Sequence, residues 1–220
     1  MTGAAGDRQP VLDEVIDELY ARHTKVPAAA QAARREYETR RGKVHQDDEL
    51  WEPWSAAFVE WYVVERVADG ETLPPAALTA RAMAAAGDAR ADVARALVTS
   101  QRSLYEVREK VRGGRVELLD LLGGGEYRLE GERELDGVDA GDVAELRLVG
   151  VRGAVRFGRT FIYHPKEARG AIVERARAML GQGRSRRDVI DQIAQLRVQV
   201  TRYRHMAPAR VYELGSRITG

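Results

Sequence analysis

The sequence lacks cysteine, and none of its apolar runs is long enough to cross a membrane. The absence of cysteine excludes disulfides, thiolate zinc sites, iron–sulfur clusters and a cysteine nucleophile. A membrane-spanning helix needs roughly 18 consecutive apolar residues. The first ten residues also lack the apolar core of a secretory signal. We therefore expect a cytoplasmic protein.

Sequence motifs for metal binding and catalysis are also missing. The four histidines, His23, His45, His164 and His205, do not form a spaced ligand pair. The triple glycine 123–125 is followed by a strand pattern rather than a helix, so we interpret it as a tight turn and not as a phosphate loop. Acidic pairs such as Glu132 and Glu134 are interpreted as solvated side chains. We expect no catalytic residues, no cofactor and no metal.

A series of short strand patterns between residues 103 and 163 sets the expected fold class. Alternating apolar residues interrupted by glycines predict five strands. The predicted strands cover residues 103–107, 115–120, 126–130, 141–149 and 154–161. Short strands with glycine turns are typical of a small β-barrel or a curled antiparallel sheet, SH3-like or OB-like in character.

Helical patterns flank this segment on both sides. Residues 47–64 predict a helix that carries all three tryptophans, and we interpret its aromatic face as a core ridge rather than a ligand platform. Ser185 and Asp188 have the spacing of a capping box at the start of a C-terminal helix. The sequence therefore predicts an α+β protein with helices over 1–102, the β segment over 103–163 and further helices over 164–220. No linker separates the three parts, so we expect one compact unit.

The positive charge of the chain is concentrated after the β segment. Lys and Arg exceed Asp and Glu by seven over residues 164–220, while the rest of the chain carries a net charge of −6. The basic surface that we predict consists of Arg184, Arg186, Arg187, Arg197, Arg202, Tyr203 and Arg204. Arginine interleaved with aromatic residues is typical of phosphate-contacting surfaces. Arginine also pairs with carboxylates, so the same residues could dock on acidic parts of this chain, on a second copy or on an acidic protein.

Six short stretches resemble sequences in a group of uncharacterised bacterial proteins of the myxobacterial type. The stretches are 40–44, 60–62, 102–107, 118–124, 158–165 and 202–205. The group has no known activity, so the resemblance implies no function. Our leading hypothesis is a non-catalytic cytoplasmic binding or adaptor protein that can self-associate. The alternative is a nucleic-acid-binding protein that uses the basic C-terminal helices. A third hypothesis is an enzyme whose site forms only in the folded chain.

Overall fold

The structure, a computed structural model, describes residues 8–111, 115–129 and 138–215. Five helices precede the sheet: α1 Arg8–His23, α2 Pro27–Arg41, α3 Trp51–Val64, α4 Pro75–Ala85 and α5 Ala91–Val98. The strands are β1 Gln101–Val111, β2 Arg115–Asp120, β3 Glu126–Leu129, β4 Val143–Val151 and β5 Ala154–His164. A 3-10 turn, Lys166–Ala168, leads into α6 Arg169–Gly181, α7 Arg186–Arg202 and α8 Pro208–Leu214. The α+β prediction is confirmed.

The five strands form one antiparallel sheet in the order β3-β2-β1-β4-β5. The sheet is not closed, because β3 and β5 are its two edges. Tight turns connect the two strands of the β2–β3 hairpin and of the β4–β5 hairpin. Gly124 has a φ of 73° in the turn between β2 and β3, which confirms the turn interpretation of the triple glycine. Arg152 and Gly153, with φ of 49° and 76°, form the two-residue turn between β4 and β5. The acidic pair Glu132 and Glu134 lies outside the described residues.

The two faces of the sheet bury different groups. One face encloses an apolar cluster of its own side chains, including Tyr105, Leu118, Leu146 and Phe157. The other face lies against helices α3, α5 and α7. Period-two alternation in the strands separates the two sets of side chains. As a result, charged residues in β1 and β4 point toward the helices.

The helices bury two further apolar clusters against the sheet. The N-terminal helices supply the first, in which Trp54, Phe58, Trp61 and Tyr62 of α3 are buried. The interpretation of the aromatic face as a core ridge is therefore confirmed. The C-terminal helices supply the second cluster, and Ser185 accepts a hydrogen bond from the Asp188 amide at the start of α7, as the capping box predicts. Within the described ranges no helix is both long and apolar enough to cross a membrane.

Candidate functional site

An ionic network fills the gap between the sheet and the helices. Arg41, the last residue of α2, is fully buried. Its Nη2 donates to both carboxylate oxygens of Glu145 in β4, at 2.8 and 2.6 Å, and its Nη1 donates to Asp191 of α7 at 2.8 Å. The guanidinium carbon also lies 5.1 Å from the ring centroid of Tyr37 and 5.2 Å from that of Trp54. Arg41 thus joins α2, α7 and the sheet through charge and aromatic contacts.

Arg102 of β1 is the second centre of this network. It holds Glu65 bidentately, with Nε and Nη2 donating at 2.8 and 3.0 Å. Its Nη1 donates to Glu145 at 3.0 Å, and both Nη atoms lie 3.2 Å from Asp191. Because a guanidinium has five N–H groups, these contacts use its full donor capacity. Arg102 therefore has a structural role.

Arg147 of β4 links the network to an irregular part of β5. Its Nη2 donates to Glu65, and its Nη1 donates to the Ser100 hydroxyl at 3.1 Å. Its Nε lies 3.2 Å from a Glu60 oxygen without forming a hydrogen bond.

Glu60 of α3 binds the backbone of β5. Its carboxylate accepts hydrogen bonds from the Arg159 amide at 2.9 Å and from the Thr160 amide at 3.1 Å, and also from the Thr160 hydroxyl. The pairing register of β4 and β5 shifts at this point, with residue 147 opposite residues 158–160. The bulge places the β5 backbone against the Glu60 carboxylate.

Glu65 and Asp191 of the network are held in the ionised form. Burial alone would raise the pKa of Glu65, but the charges and hydrogen bonds of Arg102 and Arg147 outweigh it and hold that pKa well below its usual range. Burial and the charges of Arg102 and Arg41 oppose one another in the same way at Asp191, and the net effect lowers its pKa. Neither group can act as a proton donor or acceptor near neutral pH.

A cleft opens beside this network and is the candidate site. We name it the arginine cleft. It lies between the C-terminal ends of α3 and α5, the start of β1 and the start of α7, and its volume is about 390 Å³. Its charged lining residues are Arg102, Arg147, Arg186, Arg187 and Glu65. The remaining lining residues are Val64, Val98, Thr99, Ser100, Gln101 and Ile190.

Arg186 and Arg187 lie at the mouth of the cleft and keep unused hydrogen-bond donors. The Nη2 of Arg186 donates to Asp120 at 2.6 Å and to Ser103 at 3.0 Å, which leaves Nε and Nη1 without a partner among the described residues. The Nε of Arg187 lies 3.7 Å from a Glu65 oxygen, too far for a hydrogen bond, and its side chain is 66% exposed. Both guanidinium groups can therefore bind a further oxyanion.

The other residues of the predicted basic surface lie outside the arginine cleft. Arg197 donates to the Tyr163 carbonyl at 2.7 Å and to Glu49 at 3.1 Å. Arg202 donates to the Lys43 carbonyl, and Arg204 donates to the Thr201 carbonyl at 3.2 Å.

Two further members of the predicted surface flank α7. The Tyr203 ring makes an edge contact with His205. Arg184 is exposed and forms no side-chain hydrogen bond or ion pair with the described residues. Only Arg186 and Arg187 of the predicted set therefore line the cleft.

Comparison with known protein families assigns the chain to a family. Residues 12–196 match a family of unknown function, DUF7986. The chain belongs to this family. The match covers every member of the buried network and the whole lining of the arginine cleft. Comparisons with curated proteins and with solved structures give no match.

The buried members of the site were not predicted from the sequence. A signal was present in β4, where Glu145 and Arg147 occupy alternate positions between apolar neighbours. A second signal was Glu60, an acid within the aromatic face of α3. Charged residues at positions that the pattern assigns to the interior are rarely buried without a partner. The partners could not be named, because they lie on other elements of the fold.

Proposed function

We propose that the protein is a non-catalytic, cytoplasmic binding protein that holds a small oxyanion-bearing molecule in the arginine cleft. The observation that carries this proposal is the pair Arg186 and Arg187. Both line a cavity, and both keep guanidinium N–H groups that no described residue accepts. A planar guanidinium matches the geometry of carboxylate and phosphate groups.

The charge balance of the lining favours an anion. Four arginines and one acid line the cleft. Glu65 is already bound by Arg102 and Arg147, so it offers little attraction to a cation. The side chains left to attract an anion are Arg187 and Arg186, of which Arg186 is also paired with Asp120. A volume of about 390 Å³ falls within the range of small-molecule sites.

The ionised state of Glu65, the carboxylate of the cleft, supports binding rather than catalysis. A general acid or base needs a pKa near the working pH. Burial raises the pKa of Glu65, but the contacts with Arg102 and Arg147 outweigh burial and hold this pKa well below its usual range.

The test is a titration of the full chain with inorganic phosphate at low ionic strength, followed by NMR amide shifts and calorimetry. We expect the largest shifts at the residues of the cleft. Arg187→Glu should weaken binding by about tenfold or more, because charged hydrogen bonds are lost and an acid faces the ligand. Arg204→Glu is the matched control, since it makes the same charge change at an exposed arginine outside the cleft. Absence of binding, or an equal loss in both variants, would overturn the proposal.

We also propose that the open sheet is a partly opened five-stranded barrel related to the OB architecture. The order β3-β2-β1-β4-β5 and the approach of the two edge strands to within 8 Å between Cα atoms support this view. A crystal structure with β3 and β5 far apart would contradict it. The architecture by itself assigns no function.

Nucleic-acid binding stays a prediction for the basic C-terminal helices. Arg197, Arg202 and Arg204 donate to backbone carbonyls, which reduces the number of donors available for phosphates. Binding to mixed RNA and DNA that falls steeply with added salt would support it. Self-association also stays a prediction. Sedimentation of the purified chain in the analytical ultracentrifuge tests it by measuring the mass of the species in solution.

A further inference from the structure

One wall of the arginine cleft is apolar. Val64, Val98 and Ile190 line the cavity together with the arginines. Val64 and Ile190 are nearly fully buried, whereas Val98 is 41% exposed. Val98 therefore supplies most of the apolar side-chain surface that a ligand in the cleft can reach.

Val98 is exposed because of its position at the end of α5. Its predecessors Val93, Ala94 and Leu97 occupy the buried face of the helix. Val98 is the last helical residue and falls outside that face. A single exposed valine is ordinary on a protein surface, but this one shares a cavity with two buried apolar residues and four arginines.

The uncharged polar residues of the cleft are already engaged. Gln101 donates to Asp120 at 2.8 Å and accepts from the Tyr127 hydroxyl at 3.2 Å. Ser100 donates to the Leu97 carbonyl at 2.5 Å and accepts from Arg147. Thr99 donates to the Ala96 carbonyl at 3.2 Å. The side chains that remain for a ligand are thus cationic at the mouth and apolar on the wall.

We infer that the ligand is a small organic oxyanion, a phosphate or carboxylate attached directly to an apolar body. The oxyanion contacts Arg186 and Arg187, and the apolar body lies chiefly against Val98, the exposed apolar side chain of the cleft. This inference rests on the proposed function, because it names the ligand class of the same site. Burial of the apolar body removes hydrocarbon surface from water and so adds affinity beyond that of the oxyanion.

The experiment compares matched pairs of probes on the full chain by calorimetry. The first pair is inorganic phosphate and phenyl phosphate, and the second pair is acetate and benzoate. We expect the aromatic member of at least one pair to bind about tenfold tighter than its partner. We call the ratio of the two affinities within a pair the advantage of the aromatic probe. The pair with the larger advantage identifies which oxyanion the site prefers.

Variants at Val98 test the apolar wall. Val98→Ser should reduce the advantage of the aromatic probe about threefold or more and leave the affinity for the small anion nearly unchanged. Val98→Leu should retain the advantage. Val67→Ser is the matched control, because Val67 is another exposed valine and does not line the cleft.

The outcomes separate this inference from the proposed function. If phosphate binds in the cleft but neither aromatic probe binds tighter than its partner, the ligand class is wrong and the oxyanion site stands. If Val98→Ser and Val67→Ser reduce the advantage equally, the apolar wall is not the cause and the inference is overturned. If no probe binds at the cleft, the proposed function fails as well.

Discussion

The arginines of the buried network and those at the mouth of the arginine cleft differ in how their donors are used. Arg41 and Arg102 lie under the surface and donate to several carboxylates each. Arg187 lies at the surface, and its side chain makes one long ion pair with the described residues. One residue type therefore has two roles in adjacent positions. An arginine that is buried and donates to several carboxylates holds the fold together, whereas an exposed arginine with few partners is available to a ligand.

Identical substitutions in the two regions should give very different losses of stability. Arg41→Met removes one of the two buried arginines that bind both Glu145 and Asp191 and leaves these carboxylates with an excess of buried negative charge, so we expect it to lower the free energy of unfolding by about 3 to 5 kcal/mol. Arg187→Met should change it by less than about 0.5 kcal/mol, because exposed ion pairs contribute little. Urea denaturation followed by circular dichroism measures both. Equal losses in the two variants would remove the distinction between the regions.

Glycine substitutions test how closely the network is packed. A Cβ atom at Gly158 would overlap the Glu60 carboxylate and would lie 3.1 Å from the Cβ of Arg147. We expect Gly158→Ala to lower the free energy of unfolding by about 3 kcal/mol, the upper end for overpacking.

Gly170→Ala is the control for this substitution. Gly170 lies in α6, and a Cβ atom there meets no other heavy atom within 4 Å. This variant should be neutral or more stable by up to about 1 kcal/mol. Thermal and urea denaturation compare the two, and an unchanged stability for Gly158→Ala would show that the bulge can relax.

Protonation of one buried group gives a smaller effect. Burial, together with the charges of Arg197 and Arg41, lowers the pKa of His164 to about 3. Below about pH 6.5 the unfolded chain therefore binds a proton at this histidine that the folded chain does not, so stability falls as the pH falls. Between pH 7 and pH 5 the expected loss is about 2 kcal/mol. Glu65 and Asp191, whose pKa values are lowered, add their effect only below about pH 5.

Histidine variants isolate this contribution. His164→Gln should remove most of the difference in unfolding free energy between pH 7 and pH 5. His205→Gln, at an exposed position, should preserve it. Urea denaturation at the two pH values is the measurement, and the same pH dependence in both variants would show that His164 is not the group responsible.

Local sequence patterns predicted the helices and strands of the fold, whereas the site could be identified only in the folded chain. Alternation and glycines gave the five strands, and the Ser185 capping box gave the start of α7, because these signals act over a few residues. The network joins α2, β1, β4 and α7 through residues up to 150 positions apart. The net charge of residues 164–220 located an excess of basic residues, but it does not show which arginines lie next to carboxylates. Arg186 and Arg187 were predicted as basic surface, whereas the cavity beside them depends on how α3, α5 and β1 meet.

The contact between Glu60 and β5 has a consequence for how copies of the chain meet. β5 is an edge strand, and such edges invite pairing with strands of other molecules. At Arg159 and Thr160 the amide groups are already bound by the Glu60 carboxylate. These two amide groups are therefore not available to a strand of another molecule unless the buried Glu60 carboxylate is displaced. Two backbone donors of an edge strand are thus satisfied by a side chain from a neighbouring helix rather than by another strand.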